Sequence, residues 1–140
     1  MKNLILIPML LLLINTGVAQ SNNMNKVQST INSFANATEK QSTEELNLIL
    51  DPGFRVVMNR LFGSKEVAVL GKEAYLKKIQ SKEWGGEKRE VSVENLTING
   101  STATAKVIFK GSKLTFVSLL QFVESADGSW KIISDMPTVI

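Results

Sequence analysis

Apolar residues recur at two different spacings along the chain, and each spacing predicts a different kind of element. In the first third they fall three or four positions apart: Val27, Ile31 and Phe34 lie on one side of a helix. This spacing predicts an amphipathic first helix from Met24 to Lys40. In the last third apolar residues alternate with polar ones, which is the period of a half-buried strand. The pattern therefore predicts an α+β chain with its helices first.

Two shorter helices are predicted after the first. Ser42 and Glu45 have the spacing of a capping box, in which a serine at the N-cap position is followed three residues later by a glutamate in the first turn of the helix. The sequence Asp-Pro-Gly at 51–53 is expected to end this second helix. A third helix is predicted over 72–82, with Tyr75 on its apolar face.

The remaining segments predict a mostly antiparallel sheet. Extended segments are expected over residues 54–60, 66–70, 88–98, 101–110, 113–124 and 129–136. Asn99-Gly100 is a strong hairpin signal and favours a type I′ turn, because glycine and asparagine tolerate positive φ. Around Glu94-Asn95 the apolar residues change phase, which indicates a β-bulge. A bulge bends a sheet, and helices packed on a bent sheet enclose a pocket.

The segment from Leu114 to Val123 is apolar on both faces of the strand that it predicts. Because a strand with one solvated face alternates apolar with polar residues, both faces are expected to be covered. The face that carries Val117 and Leu119 can be covered inside the chain or by a second copy of it.

The first residues have the features of a secretory signal peptide. A lysine at position 2 precedes an uncharged apolar run from Leu4 to Ile14, and Gly17-Val18-Ala19 supplies the small residues that precede a cleavage site. We predict cleavage after Ala19, a single exported domain over 20–140 in the periplasm or outside the cell, and no membrane association after cleavage. An uncleaved anchor is the alternative, although the run is shorter than a bilayer requires.

Composition excludes several kinds of chemistry. The chain has no histidine and no cysteine, so the usual zinc and iron ligands, histidine-based triads and disulfides are all absent. We therefore predict no metal and no cofactor. The formal net charge is +3, and no dense basic patch with interleaved aromatic residues is present. Nucleic acid is accordingly not expected as a partner.

The order of elements and several short motifs resemble the nuclear transport factor 2-like superfamily, and most closely its SnoaL-like and lumazine-binding group of small bacterial proteins. The likeness spans nearly all of residues 20–140 and rests on Phe34-Ala35, Leu46, Phe54, Ala74-Tyr75-Leu76, Asn99-Gly100, residues 103–107, Ser118-Leu119-Leu120 and residues 128–132. It implies a cone-shaped α+β fold with three helices packed on a curved sheet. These motifs specify turns and core positions and carry little information on activity.

Enzymes of that superfamily use carboxylates and a tyrosine, and the resemblance makes Asp51, Asp135 and Tyr75 the weak catalytic candidates. Each also has a structural explanation: a helix-ending turn for Asp51, a strand-end charge for Asp135, and a core position for Tyr75. Strict alternation places Asp135 on the face of Ile133, opposite Ile132. The expected aspartate, phenol and acid trio cannot be matched here residue by residue, and the histidine of the dehydratase-type members is missing.

The expected pocket draws on aromatic residues and one arginine. The candidates are Phe34, Phe54, Arg55, Tyr75, Trp84, Phe116 and Trp130. Arg55 and Arg60 lie on opposite faces of a regular strand, so one of them can face a pocket and bind an anion. Our leading hypothesis is a non-catalytic pocket domain for a small planar molecule, with the resemblance suggesting a pterin-like ligand. The alternatives are a homodimeric interaction module that pairs through its sheet, and an acid–base isomerase or hydrolase.

Overall fold

The computed structural model describes residues 11–140, and their side chains from residue 17 onward. Three helices precede most of a six-stranded sheet. The elements are α1 (Leu11–Lys40), α2 (Thr43–Ile49), β1 (Leu50–Asn59), a short irregular turn (Leu61–Gly63), β2 (Val67–Gly71), α3 (Lys72–Gln80), β3 (Glu90–Asn99), β4 (Thr102–Lys110), β5 (Thr115–Glu124) and β6 (Trp130–Val139). The α+β class and the three helices predicted from the apolar spacing are confirmed.

Within the described residues helix α1 spans Leu11–Lys40, so it extends well before the predicted start at Met24, and Met24 itself is exposed. Its buried face begins at Val27, where the helix first contacts the sheet. The predicted signal peptide lies outside the described residues over positions 1–10, and its cleavage stays a prediction. Within residues 11–140, no helix combines the length and the hydrophobicity that crossing a bilayer requires.

The predicted N-cap at Ser42 is confirmed, and α2 ends at Ile49, within one residue of the predicted end, whereas the strand that follows starts earlier than predicted. The Glu45 side chain bonds Lys40 and does not bond the Ser42 amide, so the reciprocal half of the predicted capping box is not formed. The Ser42 hydroxyl accepts a hydrogen bond of 3.2 Å from the Glu45 amide. Strand β1 then begins at Leu50 and runs through Pro52-Gly53, where its pairing with β6 is interrupted between Leu50 and Arg55. Because this irregular stretch makes no ladder hydrogen bonds with β6, the missing proline N–H is tolerated there.

The sheet has the order β2-β1-β6-β5-β4-β3, and all neighbours are antiparallel except β1 and β6. The predicted bulge in β3 is confirmed: the register shifts between Glu94 and Thr97, and Asn95 adopts a φ of +53°. The predicted turn type is wrong. Asn99 pairs with Thr102, so the loop is Gly100-Ser101, and of these two only Gly100 has positive φ. That geometry fits a type II′ turn.

The two faces of the sheet differ sharply. The inner face packs against the helices and forms the core, to which β4 and β5 contribute Ala105, Val107, Leu120 and Phe122. The outer face of β5 is not covered within the chain, since Leu119 is 53% exposed. The prediction that both faces of this strand are buried is therefore wrong for a single chain.

Candidate functional site

A cavity of about 330 Å³ lies between the inner face of the sheet, the C-terminal part of α1, helix α3 and the segment 83–89. Its wall is mainly apolar and includes six aromatic rings, those of Phe34, Phe62, Tyr75, Trp84, Phe109 and Phe116. The polar groups on the wall include Thr38, Glu87, Arg89, Ser118 and Asp135. An apolar cavity of this size with a few polar groups is typical of small-molecule sites.

A β-bulge in β6 directs Asp135 into this cavity. Phe122 pairs with Ile132, but Gln121 pairs with Ser134, so Ile133 is an extra residue on β6. The extra residue reverses the alternation, and Asp135 lies opposite the buried Leu120. The expectation that Asp135 shares a face with Ile133 and lies opposite Ile132 is therefore wrong. Bulges often re-aim a side chain beside a functional site in this way.

The carboxyl group of Asp135 is buried without a compensating positive charge. The residue is 6% exposed, and its Oδ1 atom has no hydrogen-bond partner among the described residues. Burial disfavours the ionised form and raises the pKa of Asp135 from 3.8 to about 7, while a hydrogen bond with the Ser118 side chain opposes the rise. The group can consequently accept or give up a proton near neutral pH.

Tyr75 projects from α3 into the same cavity and is held by other aromatic rings. Its ring stacks on Phe34 with centroids 6.4 Å apart and meets Phe54 and Trp84 edge-on at 5.2 and 5.6 Å. Burial and the nearby Asp135 raise the pKa of the Tyr75 phenol, and Thr38 and Arg89 partly oppose this effect. The phenol therefore remains protonated and can donate a hydrogen bond.

Glu87 and Arg89 form one rim of the cavity. The Glu87 carboxylate accepts hydrogen bonds from the Lys113 amide at 2.7 Å, the Ser112 hydroxyl at 3.0 Å and Arg89 Nη2 at 3.2 Å. These bonds, the Lys113 amide first, lower the pKa of Glu87. The Arg89 guanidinium lies 4.8 Å from the centroid of the Phe116 ring. Glu87 therefore joins the β4–β5 loop to an arginine that is stacked on the cavity wall.

Two glycines let the Trp84 segment approach α1 closely. The Gly86 amide donates to the Thr38 carbonyl at 3.1 Å, and the Gln41 side chain donates to the Trp84 carbonyl at 2.8 Å. Gly85 has a φ of +80°, and a Cβ atom there would lie 2.3 Å from the Thr38 carbonyl oxygen. This contact places the Trp84 ring on the cavity wall.

The structure places the sequence-derived candidates in different environments. Those that line the cavity are Phe34, Tyr75, Trp84, Phe116 and Asp135. Phe54 lies in the core behind Tyr75, and Trp130 is buried beside α1, where its carbonyl accepts from Thr30. Arg55 is exposed on β1, and neither it nor Arg60 lines the cavity. Asp51 accepts a 2.8 Å hydrogen bond from the Gly53 amide, which is the turn role expected of it.

Several lining residues were not among the candidates, notably Glu87, Arg89, Phe109 and Ser118. Phe109 and Ser118 could have been found from strand alternation, because both lie on the apolar face of their strands. Arg89 and Glu87 follow the Gly-Gly pair and give no periodic signal. Their role depends on contacts with a loop more than twenty residues away in sequence, Glu87 bonding to Lys113 across 26 positions.

The curved six-stranded sheet, the three helices and the half-open, mainly apolar cavity fit a pocket domain of the nuclear transport factor 2-like (NTF2-like) class. A family model described as "Putative lumazine-binding" matches residues 22–136, so the chain belongs to this family. The resemblance stated from the sequence is thereby confirmed. No curated protein matches the chain in sequence.

Solved structures show the same fold at low sequence identity. An NTF2-like protein from Silicibacter pomeroyi has a TM-score of 0.74 at 14% identity, covering 86% of this chain and 98% of that one. One from Methylobacillus flagellatus has a TM-score of 0.71 at 19% identity, with coverages of 85% and 93%. A Shewanella frigidimarina protein described as a "putative ketosteroid isomerase" has a TM-score of 0.59 at 14% identity, with coverages of 81% and 94%. At these identities the likeness concerns the fold alone.

Proposed function

We propose that the protein binds a small, planar organic molecule in the aromatic-walled cavity. The observation that carries this proposal is a cavity of about 330 Å³ whose wall combines stacked aromatic rings with buried polar atoms that have no partner within the described chain. Flat rings gain most from such a wall, because ring faces and edges pack on Phe34, Tyr75 and Trp84. The family description supports a pterin-like molecule such as lumazine.

Lumazine is the first probe, titrated into the protein by calorimetry. We expect saturable binding at one site per chain, and Trp84→Leu should weaken it roughly tenfold, the scale of one aromatic stacking contact. Leu48→Ala changes an exposed leucine of α2, away from the cavity, and should leave the affinity unchanged. If lumazine and related flat heterocycles all fail to bind, the pocket proposal is wrong.

Native mass spectrometry of the protein from its own host extends this test. Excess mass that disappears on denaturation gives the mass of a retained ligand. The same spectrum reports whether residues 1–19 have been removed, which the export proposal requires. A chain that retains residues 1–19 would contradict that proposal without affecting the pocket.

Acid–base catalysis is the second candidate function, and one observation favours it. Asp135, with its pKa raised to about 7, can take up a proton beside a protonated phenol that can stabilise a developing oxyanion. The fold shared with the Shewanella frigidimarina protein described as a "putative ketosteroid isomerase" agrees with this candidate. A bound ketone that exchanges its α-hydrogens for deuterium in heavy water would indicate catalysis. A ketone that binds without exchange would support binding alone.

We also propose that two copies pair through the outer face of the sheet. The strand register places Val69 beside Val57 and Met136 beside Leu119. Val56 pairs with Asp135 on the parallel strand, so the next residues along the two strands, Val57 and Met136, are also neighbours. Together Val69, Val57, Met136 and Leu119 form a continuous row across β2, β1, β6 and β5, which we call the outer apolar row. Leu119 and Met136 are 53% and 44% exposed. A symmetric second copy is the simplest partner for one apolar face, because the same residues meet across a two-fold axis.

Leu119→Glu should convert the dimer into a folded monomer. Two carboxylates would then be buried in an apolar interface, and the neighbouring Lys106 is already paired with Glu94, so we expect at least a hundredfold weaker association. Sedimentation velocity over a concentration series measures the effect. Leu48→Glu introduces the same charge at an exposed leucine of α2 and should leave the assembly unchanged. A wild-type protein that remains monomeric at high concentration would rule out this pairing.

A further inference from the structure

Two buried polar atoms with no partner among the described residues belong to side chains on the wall of the same cavity. One is Asp135 Oδ1, from the residue that the bulge directs inward, and the other is Arg89 Nε. A buried polar atom left unpaired has a substantial desolvation cost, so such atoms require an explanation. An unpaired acceptor and an unpaired donor on the wall of one cavity point to a ligand that supplies both missing hydrogen-bond partners.

Arg89 is held so that part of its hydrogen-bonding capacity remains unused. Its Nη2 atom donates to Glu87 at 3.2 Å, and its guanidinium is stacked on Phe116, which fixes the plane of the fork. The same Glu87 carboxylate is engaged by Ser112 and Lys113. Glu87 thus positions the arginine, while Nε has no acceptor in the described chain.

The two groups lie beside successive inward-facing residues of β5. Arg89 lies over Phe116, whereas Asp135 lies beside Ser118, the next inward-facing residue of β5. Alternate residues of a strand are about 7 Å apart. Tyr75 lies near both groups, since Asp135 and Arg89 each perturb the pKa of its phenol. This spacing suits the two ends of a single ring.

We infer that the ligand carries a hydrogen-bond donor at one end of a planar ring, which binds Asp135, and an oxygen acceptor, carbonyl or carboxylate, at the other end, which binds Arg89. This inference rests on the proposed binding function and defines the chemical class of its ligand. Glu83 and Glu87 are the other acidic residues on the wall, and Glu87 already accepts from three donors. Arg89 and Lys113 are the basic residues on the wall. We assign the acceptor end to Arg89, because its guanidinium is fixed over Phe116 and its buried Nε has no acceptor among the described residues.

Four single-ring probes test the inference on the intact protein by calorimetry or ligand-observed NMR. They are para-hydroxybenzoate, para-hydroxybenzamide, benzoate and phenol. The first two have both ends, benzoate lacks the donor, and phenol lacks the acceptor. We expect phenol and benzoate each to bind about tenfold to a hundredfold more weakly than the better of the first two, the scale of one hydrogen bond to a charged group. The comparison of para-hydroxybenzoate with para-hydroxybenzamide shows whether the acceptor is a carboxylate or a carbonyl.

Variants then assign each end to its residue. In Arg89→Gln the advantage of the two-ended probes over phenol should fall to less than about threefold, and in Asp135→Leu their advantage over benzoate should fall likewise. Lys88→Gln removes a neighbouring exposed positive charge and should preserve both advantages. If a variant fails to fold, the wild-type affinity ranking still tests the inference.

The outcomes separate this inference from the function on which it rests. Equal affinities for all four probes would overturn the two-ended ligand and leave a generic aromatic pocket in place. An advantage that survives in Arg89→Gln would overturn the assignment of the acceptor to Arg89. Absence of binding for every probe and for lumazine would instead contradict the binding function itself.

Discussion

Asp135→Asn is expected to stabilise the protein at neutral and alkaline pH and to have little effect in acid. Burial raises the pKa of this carboxyl from 3.8 to about 7, so the folded state holds a proton that the unfolded state releases between those values. The wild type therefore loses stability as pH rises through this window. Asparagine never ionises, and the variant should gain about 2–4 kcal/mol of unfolding free energy at pH 8.

Urea unfolding measured from pH 4 to pH 8 checks this result, through the difference in unfolding free energy between variant and wild type. The difference should grow with pH up to about 7 and then level off. Asp127→Asn is an informative control because Asp127 accepts hydrogen bonds from Ser129, which lower its pKa. Its variant should lose stability by a nearly constant amount across this range, because a pKa lowered from 3.8 places the titration of Asp127 at more acid pH. A pH-independent gain in Asp135→Asn would show that the carboxyl group is not desolvated.

Gly85→Ala is expected to destabilise the fold by about 3–5 kcal/mol and to weaken lumazine binding. A non-glycine residue at a φ of +80° is strained, and the new Cβ would lie 2.3 Å from the Thr38 carbonyl oxygen, a backbone atom that cannot rotate away. The Trp84 segment must then move off α1, and the aromatic wall moves with it. Thermal unfolding and calorimetric titration measure the two effects.

Gly86→Ala distinguishes the cost of a positive φ from the cost of the steric clash with the Thr38 carbonyl oxygen. Gly86 has the same φ of +80°, but its nearest neighbours are Gln41 side-chain atoms at 3.2 Å and beyond, which can rotate. We expect a loss of about 1–2 kcal/mol there, with near-normal affinity. Equal losses at both positions would mean that the approach of the segment to Thr38 has no energetic importance.

Local patterns predicted most of the fold because their causes are local. The Ser42 cap, the alternation of β4 and the phase change near Asn95 all depend on residues a few positions apart. The start of β1 was missed because Pro52-Gly53, which follows the helix end, is typical of a turn and gives no sign that the strand runs through it. Whether the outer face of β5 is covered depends on which elements pack against it, and strand periodicity does not report that.

The site was less predictable because non-local contacts create it. Alternation alone placed Asp135 on the wrong face, because no residue type near Ile133 indicates that β6 contains a bulge there. Arg89 is positioned on the cavity wall by its hydrogen bond to Glu87 and its contact with the Phe116 ring, and the contact with Phe116 forms only when the chain has folded. Tyr75 and Trp84 were identifiable as aromatic residues, but their meeting around one cavity depends on the Gly85–Thr38 contact.

The bulge at Ile133 also links the interior of the protein to its exterior. The extra residue that turns Asp135 toward the cavity turns Met136 outward, into the outer apolar row. A shift of one residue in β6 would exchange these positions, placing a thioether in the pocket and a carboxylate on the pairing surface. If the proposed ligand site and pairing surface both hold, the length of a single strand segment sets them together, and we expect a one-residue insertion or deletion there to alter both at once.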